Sequence, residues 1–160
     1  MLTDPQVSAC IVLYHSPANV LQTVQCLQDS DLPIDLYVVD NSPEDTMAER
    51  IRWLCPGAQI LPQQRNLGFG RANNVVLPLL KSRYHLMVNP DVTFPPDLIS
   101  RMVAYMDQHP EAVILTPRVY NPDGTEQFLP KMQPTIRYLM SGFCLYGCRR
   151  ATNDYSAYHV

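Results

Sequence analysis

Apolar positions fall into short runs that alternate between two rhythms. Val7–Tyr14 (VSACIVLY) is nearly continuous and rich in β-branched residues, the pattern of a strand buried on both faces. Ser16-Pro17 then reads as a helix cap followed by proline at the first helical position, predicting a helix through about Gln28. Leu36–Val39 is a second apolar run, ending on Asp40. Ser42-Pro43-Glu44-Asp45 repeats the cap-and-proline start, with acids placed where the helix dipole favours them. That helix should reach Leu54 and break at Pro56-Gly57, before a weaker strand at Ala58–Leu61.

The second half continues the alternation. Phe69 to about Leu80 is amphipathic, with Pro78 placed to kink or end a helix. Tyr84–Val88 predicts a fourth strand, and Asp97–His109 a helix with Leu98, Ile99, Met102, Val103 and Met106 on one stripe. Val113–Leu115 predicts a fifth strand, and Tyr120–Phe128 holds a turn at Pro122-Asp123-Gly124. Lys131–Tyr146 has room for one short helix, while Gly147–Val160 has no periodicity. Strands alternating with helices define an α/β domain with a mainly parallel sheet.

Composition narrows the class. The chain has 160 residues, 46% hydrophobic and 17% charged, which describes a folded globular domain. A net charge of −3 argues against a nucleic-acid partner, whose binder would show a basic face. No apolar run approaches the roughly 18–20 residues that span a bilayer. Met1-Leu2-Thr3-Asp4-Pro5 lacks the basic and apolar regions of a secretory signal, so the expected compartment is the cytoplasm. Five cysteines are an odd number. Cys10, Cys26 and Cys55 sit in apolar elements as reduced residues do, and the C-x3-C pair Cys144 and Cys148 lacks further metal ligands at matching spacing.

Ligands of open parallel sheets bind beyond the carboxyl ends of the strands. Three predicted strand ends carry polar clusters there: Tyr14-His15-Ser16, Asp40-Asn41-Ser42 and Asn89-Pro90-Asp91. The segment Arg65-Asn66-Leu67-Gly68-Phe69-Gly70-Arg71-Ala72-Asn73-Asn74 adds a fourth. A carboxylate such as Asp40 can accept a hydrogen bond from a base or ribose. Gly68 and Gly70 free backbone amides near a helix start for phosphate, and Arg65 or Arg71 can neutralise a diphosphate. Asp91 can ligate a hard divalent cation whose other ligands are diphosphate oxygens and water. Each cluster also has an ordinary reading. Ser42 can simply cap a helix, Gly68-Phe69-Gly70 can punctuate a loop, Asn89-Pro90-Asp91 can be a turn, and His15 can be solvated or packed. Their convergence on one edge points to a nucleoside-diphosphate site.

Taken in order, VSACIVLYHS (7–16), VVDNSPED (38–45), NLGFGRANN (66–74) and LMVNPDV (86–92) resemble family 2 glycosyltransferases. The Tyr-His-Ser start and the Asn-Pro-Asp form resemble the rhamnosyltransferase branch. The resemblance covers residues 7–128. It implies a glycosyltransferase A-type, Rossmann-like three-layer α/β/α sandwich, C-terminally truncated. Residues 1–128 would be the nucleotide-sugar-binding domain, and 129–160 an incomplete start of the acceptor side. It further implies Mg²⁺ or Mn²⁺, a dTDP- or UDP-sugar donor, and inverting transfer of a rhamnose-like sugar to a glycan or lipid-linked acceptor. Peripheral attachment to the inner face of a membrane stays open.

By position, Tyr14, His15 and Ser16 would border base and ribose, and Asp40 and Asn41 the base. Asn66, Gly68, Arg71 and Asn74 would line the nucleotide and sugar pocket, joined by Asn89 and Pro90. Asp91 matches the second acid of the family's Asp-x-Asp metal motif, with Asn89 in place of the first. The family's catalytic base, in a stretch resembling Gly-Gly-Phe-Asp-Glu, has no counterpart before Val160, so the chain reads as a fragment and no base is assigned. The alternative is a non-catalytic nucleotide-sugar-binding module. A nucleotidyltransferase or a dinucleotide oxidoreductase should carry a glycine-rich loop after the first strand, where this chain has His15-Ser16-Pro17-Ala18-Asn19.

Overall fold

The computed structural model describes residues 6–127. The chain divides into one unit ending at Leu115 and a second beginning at Thr116. The first unit is built on four parallel strands, β1 (Val7–Leu13), β2 (Ile34–Asp40), β3 (Gln59–Pro62) and β4 (Tyr84–Val88), in the order β3-β2-β1-β4. Register runs from Val7 opposite Ile34 to Leu13 opposite Asp40, and from Val7 opposite Tyr84 to Ile11 opposite Val88.

All seven residues of β1 are buried, because helices cover both of its faces. On one face, Val7, Ala9, Ile11 and Leu13 pack with α1 (Val20–Gln28), α2 (Met47–Leu54) and α4 (Leu98–Gln108). Val24, Ile51 and Val103 are among the helix residues that meet there. On the other face, Cys10 and Val12 join Tyr37, Val39 and α3 (Phe69–Val76) through Ala72 and Val76. Burial pushes the Cys10 thiol up to about 11, consistent with its reading as an inert core residue. Cys26 and Cys55 are also free thiols.

Three expectations are corrected, and one, the break at Pro78, is met. The helix after β1 begins at Val20, not at Pro17. Residues 17–19 instead form a turn whose carbonyls accept from Val20, Leu21 and Gln22, and the Ser16 hydroxyl accepts from the Tyr14 N–H (3.2 Å). The next helix begins at Met47, because Ser42 turns inward to the β1 loop and its carbonyl closes a turn with the Asp45 N–H (2.9 Å). The amphipathic run from Phe69 splits, with α3 ending at Val76 and a 3₁₀ turn over Leu77–Leu79 accommodating Pro78. Val113–Leu115 forms no strand, and Val113 and Ile114 are 88% and 80% exposed. Three apolar residues carry too little pattern to enforce pairing.

In the second unit, β5 (Val119–Tyr120) and β6 (Glu126–Gln127) form an antiparallel hairpin. Gly124, at φ +83°, turns it as the Pro-Asp-Gly signal predicts. The helix expected in Lys131–Tyr146, the unpatterned tail, Cys144 and Cys148 lie outside the described residues.

Candidate functional site

The chain leaves β1 toward β2 on one side, and β4 later docks on the other. The loops following β1 and β4 lead to α1 and α4 on the same face, and both leave the sheet at its carboxyl edge, the position where open parallel sheets bind ligands. The loops after β2 and β3 lie on the same edge.

The residues at the end of β2 are the most unusual in the protein. Asp40, Asn41 and Ser42 are consecutive, polar and buried, at 3%, 4% and 2% exposure. Each has a specific partner. Asp40 Oδ1 accepts from the Ser42 N–H (3.0 Å), and the Asp40 carbonyl accepts from the Gln63 N–H (2.8 Å). The Asn41 N–H donates to the Leu13 carbonyl (3.0 Å), and Asn41 Oδ1 accepts from the Leu67 N–H (3.4 Å). The three residues thus tie together the segments that follow β1, β2 and β3. Asp40 Oδ2 makes no hydrogen bond among the described residues. Desolvation holds the Asp40 carboxyl above the ordinary carboxylate range, offset in part by the Ser42 N–H and reinforced by the charges of Asp45 and Glu44.

The β1 loop is held by strain and by contact. His15 has φ +46°, a conformation that costs a residue with a Cβ about 1–2 kcal/mol. Its N–H donates to Ser42 Oγ (3.1 Å), and its Nδ1 donates to Asp45 Oδ2 (3.0 Å). The Tyr14 ring is 53% exposed and lies 4.5 Å from the His15 ring between centroids.

Entry to α3 is built for exposed amides. Gly68 sits at φ +72°, ψ 167°, a region open only to glycine, and its N–H is held by Asn66 Oδ1 (2.8 Å). A Cβ at Gly68 would meet nothing within 4 Å, so backbone conformation alone demands the glycine. No side chain caps α3, and its first internal bond comes from Ala72 to the Gly68 carbonyl. The N–H groups of Phe69, Gly70 and Arg71 precede that bond and face the end of the helix. Arg71 is exposed and makes no ion pair among the described residues.

Asn73 is the buried asparagine of this helix, and Asn74, the one expected to line the pocket, is exposed. Asn73 Nδ2 donates to the Phe69 carbonyl (2.9 Å), while its Oδ1 is sealed without a partner. Helical spacing could have separated the two, since Asn73 flanks the face shared by Ala72 and Val76 and Asn74 opposes it. Asp45 was also missed as more than a helix-start acid, because its contact with His15 spans 30 positions.

Asn89, Pro90 and Asp91 form the turn after β4, with Asn89 and Asp91 exposed. Hydrogen bonds link the Tyr14–Ser16, Asp40–Ser42 and Arg65–Asn74 clusters, but none joins them to this turn among the described residues. Its nearest anchor is Thr23, whose hydroxyl donates to the Val92 carbonyl (2.8 Å). No group of three or more His, Cys, Asp or Glu side chains is placed to share a metal ion among the described residues. A lone exposed carboxylate still suits Mg²⁺ or Mn²⁺ bridged by phosphate and water, since Mg²⁺ commonly takes one or two protein carboxylates. Among the described residues, carboxylates beyond Asp91 have structural partners. Asp107 pairs with Arg83 and Tyr84, Glu111 with His109, and Asp123 holds Thr125 in the hairpin turn.

A parallel sheet ordered 3-2-1-4, helices on both faces and a polar carboxyl edge make a Rossmann-like α/β domain, the class to which the glycosyltransferase A-type fold belongs. The model of glycosyl transferase family 2 matches residues 8–159, and the chain belongs to that family. It is 31% identical over 114 residues to the amylovoran biosynthesis glycosyltransferase AmsE of Erwinia amylovora, covering 67% of this chain and 42% of that protein. It is 24% identical over 118 residues to the N-acetylglucosaminyl-diphospho-decaprenol L-rhamnosyltransferase of Mycobacterium tuberculosis, covering 67% and 38%. The chain thus spans about two fifths of the length of these relatives.

Among solved structures, S. aureus TarS in complex with UDP-GlcNAc superposes with a TM-score of 0.60 at 20% identity, over 65% of this chain and 32% of that one. The mannosyltransferase PcManGT of Pyrobaculum calidifontis, in complex with GDP-Man and Mn²⁺, gives 0.58 at 17% identity, over 66% and 33%. At these identities the two structures establish the fold. No helix among the described residues is long and apolar enough to cross a membrane.

Proposed function

We propose that this chain binds a pyrimidine nucleoside-diphosphate sugar at the carboxyl edge of its sheet and forms the donor side of a glycosyltransferase. The observation that carries this reading is the buried Asp40-Asn41-Ser42 run. Burying three polar residues is costly, and Asp40 is held there with one carboxylate oxygen left without a protein partner. An imide N–H of uracil or thymine is a donor of the right kind for that oxygen. Tyr14, His15 and Ser16 border the same base and its ribose, with Asn41 supporting the wall.

The diphosphate belongs at the α3 entry, where Asn66 and Gly68 shape the turn that leaves the Phe69, Gly70 and Arg71 amides free and the Arg71 side chain supplies charge. Asn74, Asn89 and Pro90 line the sugar side. Asp91 would hold Mg²⁺ or Mn²⁺, which when bound stabilises charge on the departing diphosphate. Rhamnose or a rhamnose-like sugar is the donor group favoured by the motif forms and by the activity named for the mycobacterial relative. Transfer with inversion to a glycan or lipid-linked acceptor follows from the same resemblance. Residues 1–128 would make up the donor-binding part.

Calorimetry with UDP, dTDP and GDP, followed by dTDP or UDP release from the sugar nucleotides with glycan acceptors, tests the reading. Saturable, pyrimidine-selective binding is expected. Binding without release would favour the module alternative, and no binding of either pyrimidine nucleotide would overturn the site.

A further inference from the structure

We propose that Asp45 is a positioning residue for the nucleobase end of this site, acting through His15 on Tyr14. The proposal rests on the donor-site reading above and adds a residue to it. A continuous chain of contacts supports it. Asp40 Oδ1 holds the Ser42 N–H, Ser42 Oγ accepts from the His15 N–H, and the Ser42 carbonyl accepts from the Asp45 N–H. Asp45 then closes the circuit by accepting from His15 Nδ1 at 3.0 Å.

The circuit matters because the β1 loop has little else to hold it. Its internal bond is the Tyr14 N–H to Ser16 Oγ, and His15 occupies a positive φ that its own side chain disfavours. Asp45 fixes the imidazole, and the imidazole backs the Tyr14 ring at 4.5 Å. The outer face of Tyr14, one residue past the Leu13–Asp40 pairing, is thereby offered as a stacking surface for a base. Glu44, 4.0 Å from His15 Nε2, is the weaker partner. The exposure of Asp45 makes its replacement tolerable to the fold.

A double-mutant cycle with UDP as the probe tests the idea on the whole 160-residue chain. Asp45→Ala is expected to weaken UDP about tenfold in the wild-type background. In a Tyr14→Ala background the same change should cost less than about twofold, since the ring it positions is gone. Asp45→Asn, which keeps an oxygen for His15 Nδ1, should restore most of the loss. Equal costs of Asp45→Ala in both backgrounds would overturn the proposal, as would unchanged affinity. Cross-relaxation between the Tyr14 and His15 ring protons in the nucleotide-free protein gives an independent readout. It should vanish in Asp45→Ala and persist in Asp45→Asn, and its persistence in Asp45→Ala would overturn the proposal. Failure of the wild type to bind UDP or dTDP would sink the donor-site reading, while the ring contact would still decide whether Asp45 sets the loop.

Discussion

Replacing Asp40 with asparagine should move stability and binding in opposite directions. Asp40 is 3% exposed, and burial raises its pKa in the folded chain. The folded state therefore binds the Asp40 proton more tightly than the unfolded state does. Above the folded pKa, ionisation of Asp40 opposes folding, and this is relieved as pH falls toward 3.8. Asparagine cannot ionise and can still offer an oxygen to the Ser42 N–H, so Asp40→Asn should melt no lower than wild type at neutral pH. Binding should suffer, because Oδ2 would become an amide that cannot accept from an imide N–H. Losing such a partner costs about 1–3 kcal/mol, or roughly 5- to 150-fold in affinity for UDP or dTDP. Asp40→Ala is the harsher control, removing the Ser42 contact as well. Calorimetry and thermal melts on the same samples read both quantities. A lower melting temperature with unchanged affinity would mean that Asp40 is purely structural. GDP binding as tightly as UDP would refute the assignment of Oδ2 to a pyrimidine imide.

The remaining predictions separate conformation from contact. Gly68→Ala should destabilise by about 1–3 kcal/mol in chemical denaturation, since the strain at φ +72° does not depend on space. Gly70→Ala, in the first turn of α3 with open space around it, should stabilise by about 0.4–1 kcal/mol. If it also weakens UDP binding, diphosphate approaches that backbone; unchanged affinity would place the diphosphate elsewhere. Burial lowers the pKa of His85 below 6.5, so stability should fall as pH drops through 6.5 toward the folded value. His85→Leu leaves Ser8 bonded to Ser82 (2.6 Å) and should flatten that slope in urea unfolding between pH 5 and 8, roughly the range over which histidine titrates. Removing Mg²⁺ or Mn²⁺ with chelator should weaken UDP about tenfold or more, and Asp91→Asn should abolish that difference. Equal affinity with and without metal would remove Asp91 from the phosphate site.

Legibility in the sequence followed the strength of the local signal. Tyr84–Val88 emerged with its expected boundaries, and Val7–Leu13 lost only its last residue, because long apolar runs leave few alternatives. The starts of α1 and α2 were misplaced for one shared reason. Ser-Pro is a good local cap signal, but both serines are claimed by the loop beside them. The same competition hid Asp45, whose acid-at-helix-start reading is correct chemistry applied to the wrong partner. Asp40, Asn41 and Gly68 could be picked out because a polar residue at a strand end and a glycine before a helix are local events. The Asn89-Pro90-Asp91 cluster was placed on the carboxyl edge by the position of β4. Its distance from nucleotide or metal depends on groups that no local pattern specifies.

Buried polar groups also distinguish the two ends of the β1–β4 seam. At the amino end, Ser8 Oγ lies 2.6 Å from Ser82 Oγ and 2.8 Å from His85 Nδ1, closing the polar needs of Ser8 within the fold. His85 Nε2 is buried without a partner among the described residues, yet the buried Ser8 hydroxyl offers no approach to a ligand. At the carboxyl edge, the balance is different. Asp40 keeps an oxygen without a protein partner, the first amides of α3 lie ahead of its first internal bond, and Tyr14 stands more than half exposed on a strained turn. A fold selected for stability alone would relax each of these. Strain at His15 and unsolvated charge at Asp40 would both yield to ordinary substitutions. They coincide at the carboxyl edge of the sheet, which is why the donor site is proposed there and the serine–histidine cluster is read as part of the core.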